Sequence, residues 1–210
     1  KKISNSVVIG ALLIAAQSIY PLNTNLIYPA VSKCQSSFTD SEKPPITDET
    51  INGKPYCVTH IMIKAKPEQV WQILTDYRHA IQVFPLLKKC EVIENHGCTK
   101  IAKHEIAPSG IPDTFEYILE VKETAPKLME WHRLSGDFKA VDGSWKLEPA
   151  NNGTCTLVTY SAHVAGGFLM PQMLIKRQSH IDMPSTLLAL KKHAETTTQI
   201  AARTEAVKVQ

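Results

Sequence analysis

The chain has 210 residues, of which 43% are hydrophobic and 20% charged, which excludes a disordered chain and suits one globular domain with appendages. A domain of about 145 residues buries about two-thirds of its unfolded surface, so its stability requires neither disulfides nor a metal. The net charge of +3 comes from dispersed basic residues, which argues against a nucleic-acid partner.

The N-terminus has the pattern of an export signal. Lys1 and Lys2 precede an apolar run over residues 7–16, and small residues such as Ser18 follow it. Extended to Leu22, the run approaches the length of a membrane span. We therefore expect residues 1–22 to be a signal peptide or an uncleaved anchor. The protein would be exported to a periplasm, a lumen or the exterior, and residues 7–22 could tether it.

Residues 23–53 are polar, lack periodicity and contain Pro44-Pro45, so they are interpreted as a flexible linker. A folded domain is predicted over residues 54–198, with a tail over 199–210.

The five cysteines, an odd number, leave at least one thiol outside any intramolecular disulfide. Their spacing does not match a zinc motif, no metal ligand is assigned, and their pairing stays open. They are Cys34, Cys57, Cys90, Cys98 and Cys155.

Alternating side chains predict a first strand over residues 56–65, and Pro67 with Glu68 predicts the start of a helix. A second short helix is expected over residues 78–83, ending at Phe84-Pro85.

Three antiparallel hairpins are expected next, because short loops with turn residues separate successive strands. The predicted strand pairs are 88–94 with 99–106, 114–123 with 127–135, and 144–148 with 154–164. The last loop, Asn151-Asn152-Gly153, overlaps a formal glycosylation sequon, which we interpret as turn chemistry.

Gly166-Gly167 ends the last strand, and Pro171 opens a helix of about 30 residues, which is long but within the known distribution of helix lengths. Pro184 removes a backbone donor, so a kink or restart is expected there. Helices gathered against an antiparallel sheet define an α+β fold class.

Several segments, taken in order and spacing, resemble START-like (SRPBCC) domains, in the branch of polyketide cyclase/dehydrase-type and coenzyme-Q-binding proteins. The resemblance covers about residues 56–195. The motifs that carry it are AKPEQVWQILTDY from Ala65, Phe84-Pro85, GSWKLEP from Gly143, Gly153-Thr154, Thr159-Tyr160, Gly167 and Pro171.

The resemblance implies a helix-grip fold, in which a curved antiparallel sheet of about seven strands wraps a long C-terminal helix. It also implies a deep apolar cavity between sheet and helix. Members of this superfamily bind lipids, sterols, quinones, polyketides or hormones, and some are enzymes. Fold alone does not choose among these functions.

Candidate side chains for the cavity wall are predicted from their alternation along the strands and from the spacing of residues along the C-terminal helix. Aromatic and flexible apolar side chains suit such a pocket. Residues 166–171 are expected to act as a gate. The candidate ligand-binding residues are Phe115, Tyr117, Met129, Trp131, Trp145, Tyr160, Phe168, Met170, Met173, Arg177, Ile181 and Leu188.

Polar head-group candidates are His104, His132 and His163, although the strand parity of His163 differs from that of Tyr160. No hydrolase, metalloprotease or phosphate-binding motif occurs, so no catalytic residue or cofactor is assigned.

The sequence therefore favours a monomeric carrier of a hydrophobic small molecule or lipid, with contact to a membrane surface. One alternative is an aromatase/cyclase-type enzyme, which requires a proton-relay pair in the cavity. Another is an interaction module without a cavity.

Overall fold

The computed structural model describes residues 43–167 and 170–208. The predictions for the export signal, for Cys34 and for Phe168 lie outside these residues. The described elements are β1 (Ile46–Ile51), β2 (Lys54–Ile63), α1 (Pro67–Thr75), α2 (Ala80–Val83), β3 (Leu87–His96), β4 (Thr99–Ile106), β5 (Phe115–Thr124), β6 (Leu128–Gly136), β7 (Ala140–Ala150), β8 (Cys155–Ala165) and α3 (Gln172–Lys208).

One curved, unclosed antiparallel sheet contains eight strands in the order β1-β2-β8-β7-β6-β5-β4-β3. The three predicted hairpins are confirmed as β3–β4, β5–β6 and β7–β8. Strand β2 pairs with β8, which brings the beginning of the domain beside its last strand. Helix α3 packs against β2 and β8.

The additional strand, β1, lies in the segment that the sequence indicated as linker. Asn52 and Gly53 have φ values of 51° and 76°, so the two residues make the left-handed turn that joins β1 to β2. Five of the six β1 residues are exposed, and the strand is polar because it forms a sheet edge. The dipeptide Asn52-Gly53 is the sequence signal for this hairpin, although the prediction placed it in a linker.

The C-terminal helix is longer than predicted. Helix α3 spans 37 residues, continues through the buried Pro184 without a restart, and includes most of the predicted tail. Hydroxyl groups bind carbonyls near the proline: Ser185 Oγ donates to Ile181 O at 3.0 Å, and Thr186 Oγ1 to Asp182 O at 2.9 Å. No helix among the described residues has both the length and the apolar character needed to cross a bilayer.

The short helices precede the hairpins as predicted. Helix α1 begins at Pro67, and the Lys66 amide donates to Gln69 Oε1 at 2.9 Å, which satisfies one donor at the helix start. Its Val70 side chain is fully buried, as are Ile63 of β2 and Leu187 of α3. All three belong to the main hydrophobic core, and none of them lines the cavity between the sheet and the helices.

Candidate functional site

The cavity between the sheet and the helices has a volume of about 420 Å³. Strands β3 to β8 supply its sheet wall, and Leu74 of α1, Ala80 of α2 and the first half of α3 supply the opposite wall. Its size falls in the range of about 300–1,000 Å³ that is typical of small-molecule sites.

Three aromatic rings form the centre of the sheet wall. Trp145 and Tyr160 are direct cross-strand partners of β7 and β8, and their rings stack with centroids 4.0 Å apart and planes inclined by 16°. Trp131 of β6 lies 6.0 Å from Tyr160. The indole of Trp131 covers Gly143, where a Cβ atom would collide with the ring. The glycine therefore makes room for the ring.

A second aromatic group lies towards β5. Phe138, between β6 and β7, contacts Phe115 at 5.3 Å and Tyr117 at 5.8 Å between ring centroids. Met129 and Val121 extend this apolar surface. Aromatic and aliphatic groups together make the sheet wall a surface for apolar ligand atoms.

The side chains that strand alternation assigned to one face lie on this wall, and their contact with a ligand stays a prediction. Most of the candidate residues line the cavity, namely Phe115, Tyr117, Met129, Trp131, Trp145, Tyr160 and Met170. Phe168 lies outside the described residues.

The predicted inward stripe of the helix is wrong. Met173 and Ile181 are 80% and 40% exposed, and Arg177 is exposed beside them. Leu188 packs against the core and does not line the cavity. The residues of α3 that do line it are Leu174, Ile175, Gln178, Ser179, Asp182, Met183 and Thr186.

The reason for this error is physical. Four of the seven cavity-lining residues of α3 are polar, whereas the apolar Met173 and Ile181 lie on its exposed face. Apolar periodicity therefore indicated the wrong face over the first half of the helix. Further along, Leu187, Leu190 and Ala194 are buried in the core, as apolar periodicity requires.

The polar strip of α3 also holds the loop after β4. Gln178 Nε2 donates to Ser109 O at 3.0 Å and to Asp182 Oδ2 at 2.8 Å. The Ser109 amide donates to Asp182 Oδ1 at 3.4 Å. Ile111 of this loop and Leu174 of α3 line the cavity and are exposed as well, so the cavity opens between the loop and the helix.

A Cys–His pair lies in the cavity wall, although the sequence predicted no nucleophile with a partner. Cys90 of β3 and His104 of β4 are cross-strand partners, with Sγ and Nε2 3.4 Å apart. The His104 ring meets Tyr117 edge-on at 5.6 Å. Strand alternation alone could not show this pair, because cross-strand partners depend on the turn and on the register shifts in this hairpin.

Burial keeps these groups uncharged. It lowers the pKa of His104 to about 4 and raises the pKa of Cys90 to about 11. Burial, with a contribution from the Asp182 carboxylate, raises the pKa of Tyr160 to about 12. The phenol hydroxyls of Tyr117 and Tyr160 have no hydrogen-bond partner among the described residues. Both residues line the cavity.

A partly buried ion pair supports the end of the cavity at Tyr77. The Tyr77 hydroxyl donates to Glu123 Oε1 at 2.7 Å, and Lys100 Nζ binds Glu123 Oε2 at 2.6 Å. Burial, together with the Glu123 carboxylate, raises the pKa of Tyr77 above its ordinary range. The pair connects the segment after α1 to strands β4 and β5.

The other histidine candidates do not line the cavity. His163 Nδ1 lies 2.7 Å from Pro55 O, and its ring packs on Tyr56 at 5.6 Å, on the side of β8 that its parity predicted. His132 is exposed, with Nδ1 3.7 Å from Glu120 Oε2.

Solved structures with similar folds accord with this geometry. A STAR-related lipid transfer protein fragment from Xanthomonas axonopodis is 19% identical, with a TM-score of 0.61 over 76% of this chain and 97% of the other. The Zhui aromatase/cyclase from Streptomyces sp. R1128 is 12% identical, with a TM-score of 0.60 over 67% and 93%. A START superfamily protein from Mycobacterium smegmatis is 16% identical, with a TM-score of 0.60 over 68% and 98%. At these identities the likeness establishes the fold, which is START-like.

None of the curated protein sequences compared with the chain matches it. The family model described as polyketide cyclase / dehydrase and lipid transport matches residues 63–191, from the end of β2 into α3. This stretch includes the strands of the cavity wall and is more than half of the chain. The chain belongs to the polyketide cyclase / dehydrase and lipid transport family.

Proposed function

We propose that the protein binds and carries a hydrophobic small molecule or lipid in the cavity. The observation that carries this proposal is the 420 Å³ space enclosed by aromatic and aliphatic side chains. Burial of apolar ligand surface is worth about 25 cal/mol per Å² before the costs of association, so the wall supplies the main binding term. Lipid transport is one of the activities in the family description.

The ligand has a polar group at one end. Gln178, Asp182 and Thr186 form a polar strip on α3, opposite the aromatic sheet wall. A hydroxyl or amine could donate to the Asp182 carboxylate, and the apolar remainder would lie against Trp145 and Trp131. This arrangement orients an amphipathic molecule and disfavours a pure hydrocarbon.

Native mass spectrometry of the protein purified from its own membrane fraction tests the carrier proposal. We expect a bound molecule that Leu119→Trp excludes, because Leu119 is buried in the cavity wall. Leu134→Trp, at an exposed position of the same sheet, should retain it. A protein that is empty from every source, with no affinity for lipids or quinones, would contradict the proposal.

We propose further that the protein exchanges its ligand at an anionic membrane surface. Met173, Leu174 and Ile111 are exposed hydrophobic residues at or beside the cavity opening, and Lys176 and Arg177 lie on the same turns of α3. An apolar surface bordered by basic groups suits shallow contact with anionic lipids.

Export is part of the same proposal and has separate support. The basic start and the apolar run over residues 7–16 are typical of an export signal. Fractionation of cells that produce the tagged full chain tests it. Recovery only in the soluble cytoplasmic fraction would contradict export.

Cyclisation of a polyketide-like chain is the second candidate function, and the Cys90–His104–Tyr117 group favours it. These side chains converge on the cavity, as a proton relay requires, and an aromatase/cyclase is among the similar structures. Incubation with a linear poly-β-keto thioester analogue tests it. Acceleration by the parent that is lost in His104→Gln would support catalysis, and no acceleration by the parent would exclude this substrate class.

A further inference from the structure

Three potential metal ligands meet at the seam between the sheet edge and α3, outside the described cavity lining. They are Asp48 of β1, Cys57 of β2 and His180 of α3. Asp48 Oδ1 lies 3.7 Å from Cys57 Sγ and 2.9 Å from His180 Nε2, and the three ligand atoms lie within 4.8 Å of one another.

The fold itself brings these side chains together. Asp48 and Cys57 are direct cross-strand partners in the β1–β2 hairpin, so their side chains leave the sheet on one face. Helix α3 packs over β2 and presents His180 to this face. The ligands come from three separate elements, and the sequence spacing therefore showed no metal motif.

The surroundings of the cluster orient one carboxylate oxygen toward it. Lys176 Nζ binds the other oxygen of Asp48, Oδ2, at 2.7 Å. An outer partner of this kind fixes the orientation of a ligating carboxylate. Cys57 is buried, whereas Asp48 and His180 remain accessible, so a cation could enter from the solvent side.

We propose that Asp48 Oδ1, Cys57 Sγ and His180 Nε2 bind one divalent cation of the zinc class, with the fourth position open to water. Imidazole, thiolate and carboxylate are the ligands that Zn²⁺ takes in proteins. Its bond lengths place tetrahedral ligand atoms about 3.4–3.6 Å apart. The Asp48–Cys57 separation is already close to this value, and the Asp48–His180 separation requires a shift of about half an ångström.

The charges of the three side chains also suit a divalent cation. Binding releases the Cys57 proton, after which thiolate and carboxylate together balance the two positive charges of the ion. In the absence of metal, the Asp48 contacts form an ion-pair cluster with Lys176 and His180. The ion-pair cluster does not require a cysteine, whereas the proposed metal site does. Removal of the Cys57 thiol therefore distinguishes a metal site from an ion-pair cluster.

A bound ion would link the edge strand to the cavity helix. Cys57 packs with Ala162 and Met183, and both of these residues also line the cavity. The ion would therefore fix β1 and α3 directly behind the cavity wall. This site does not depend on the identity of the cavity ligand.

Titration of the reduced full chain with Zn²⁺, in competition with a chromophoric chelator, tests the proposal, and Co²⁺ serves as the spectroscopic probe. We expect one ion per chain and a thiolate-to-cobalt charge-transfer band in the near ultraviolet. Cys57→Ser should weaken Zn²⁺ affinity by more than about 100-fold, because loss of an outer partner alone costs about 10- to 100-fold. The accessible substitution His180→Gln should also lose the tight site, and it serves as the second variant if Cys57→Ser does not fold.

Matched controls are Cys34→Ser, Cys155→Ser and His193→Gln, the last at an exposed position on the same helix. All three should retain the parent affinity. Zn²⁺ should also raise the Tm of the parent and leave that of His180→Gln unchanged. Equal Zn²⁺ affinity in the parent and Cys57→Ser, a Co²⁺ complex without the thiolate band, or loss of the site in a control would overturn the proposal.

Discussion

At the scale of single residues, His104 combines a pKa that burial lowers with a position in the cavity wall. Its pKa of about 4 lies below the ordinary value of 6.5, so the folded protein holds it neutral where an unfolded chain would charge it. Folding stability from this residue is therefore complete above pH 6.5 and is lost as the pH falls towards 4.

The first prediction follows from the lowered pKa of His104. The free energy of unfolding should fall by about 3 kcal/mol more in the parent than in His104→Phe between pH 7 and pH 4, because the phenyl ring cannot take up a proton. Urea unfolding at both pH values measures the difference. His193→Gln should behave as the parent does. An equal fall in the free energy of unfolding of the parent and of His104→Phe would show that His104 does not cause the loss of stability at low pH.

A second prediction concerns the two adjacent glycines before α3. A Cβ atom at Gly166 would lie 2.5 Å from both Met170 O and Ile175 Cδ1, whereas at Gly167 the nearest atom is Asp137 O at 3.9 Å. The sequence predicted a gate over residues 166–171, and of its two glycines the closely packed one is Gly166. The gating role of this loop stays a prediction.

Gly166→Val should therefore lower the free energy of unfolding by about 1–3 kcal/mol, the cost of overpacking. It should also weaken ligand binding, because Met170 and Ile175 line the cavity. Gly167→Val should change neither by a comparable amount. Chemical denaturation of the two variants measures the free energy of unfolding, and ligand titration measures their affinity. Equal effects of the two substitutions would contradict the close packing at Gly166.

The cavity-lining residues of the strands could be predicted from the sequence, whereas those of α3 could not. Trp131, Trp145 and Tyr160 could be assigned to the cavity because strand side chains alternate strictly between two faces. The positions of Asp182 and Met173 could not be predicted, because polar and apolar side chains occur on both the cavity face and the exposed face of α3. The Cys90–His104 pair required a hairpin register that the sequence does not specify.

At the scale of elements, the connection between the α1 region and the sheet depends on one carboxylate. Glu123 accepts from Tyr77 and pairs with Lys100, and the Lys100 and Glu123 side chains are only 15% and 12% exposed. An ion pair at this depth is costly to break from one side, because the remaining charge keeps its desolvation penalty.

Glu123→Ala should lower the free energy of unfolding by about 3 kcal/mol, since Tyr77 loses its hydrogen-bond acceptor and Lys100 loses the Glu123 carboxylate, keeping the Gly97 carbonyl at 3.1 Å. Glu130→Ala, at an exposed position of the adjoining strand, provides the control and should cost little. Urea denaturation of the two variants measures the contrast. Similar stability of the two variants would show that the Glu123 network contributes little.

Element boundaries were predictable where turn chemistry was strong. Asn151 and Asn152 have φ values of 49° and 56°, as the predicted turn requires. The edge strand β1 was missed because its polar sequence lacks an inward apolar face. The end of α3 was placed too early because residues 199–204 are exposed and show no core-facing pattern.

At the scale of the whole molecule, the cavity opening and the basic, apolar face of α3 lie together. Arg177→Glu should weaken binding to phosphatidylserine-containing vesicles by at least about fivefold, because one basic side chain near an anionic surface contributes about 1 kcal/mol. Vesicle co-sedimentation measures this effect, which added salt should reduce.

Lys192→Glu reverses an exposed charge farther along α3 and provides the matched control. It should leave vesicle binding near the parent value. Equal loss in both variants would indicate a general charge effect and would argue against docking through the cavity opening.

The proposed anchor has a consequence for the lipid-facing surface of α3, which Lys43 extends beside Met173, Arg177 and Ile181. If residues 7–22 anchor the chain, the tether would raise the effective concentration of the domain at the bilayer. Individual docking events could then be weak and brief, and a protein that never leaves its membrane could still load and unload rapidly.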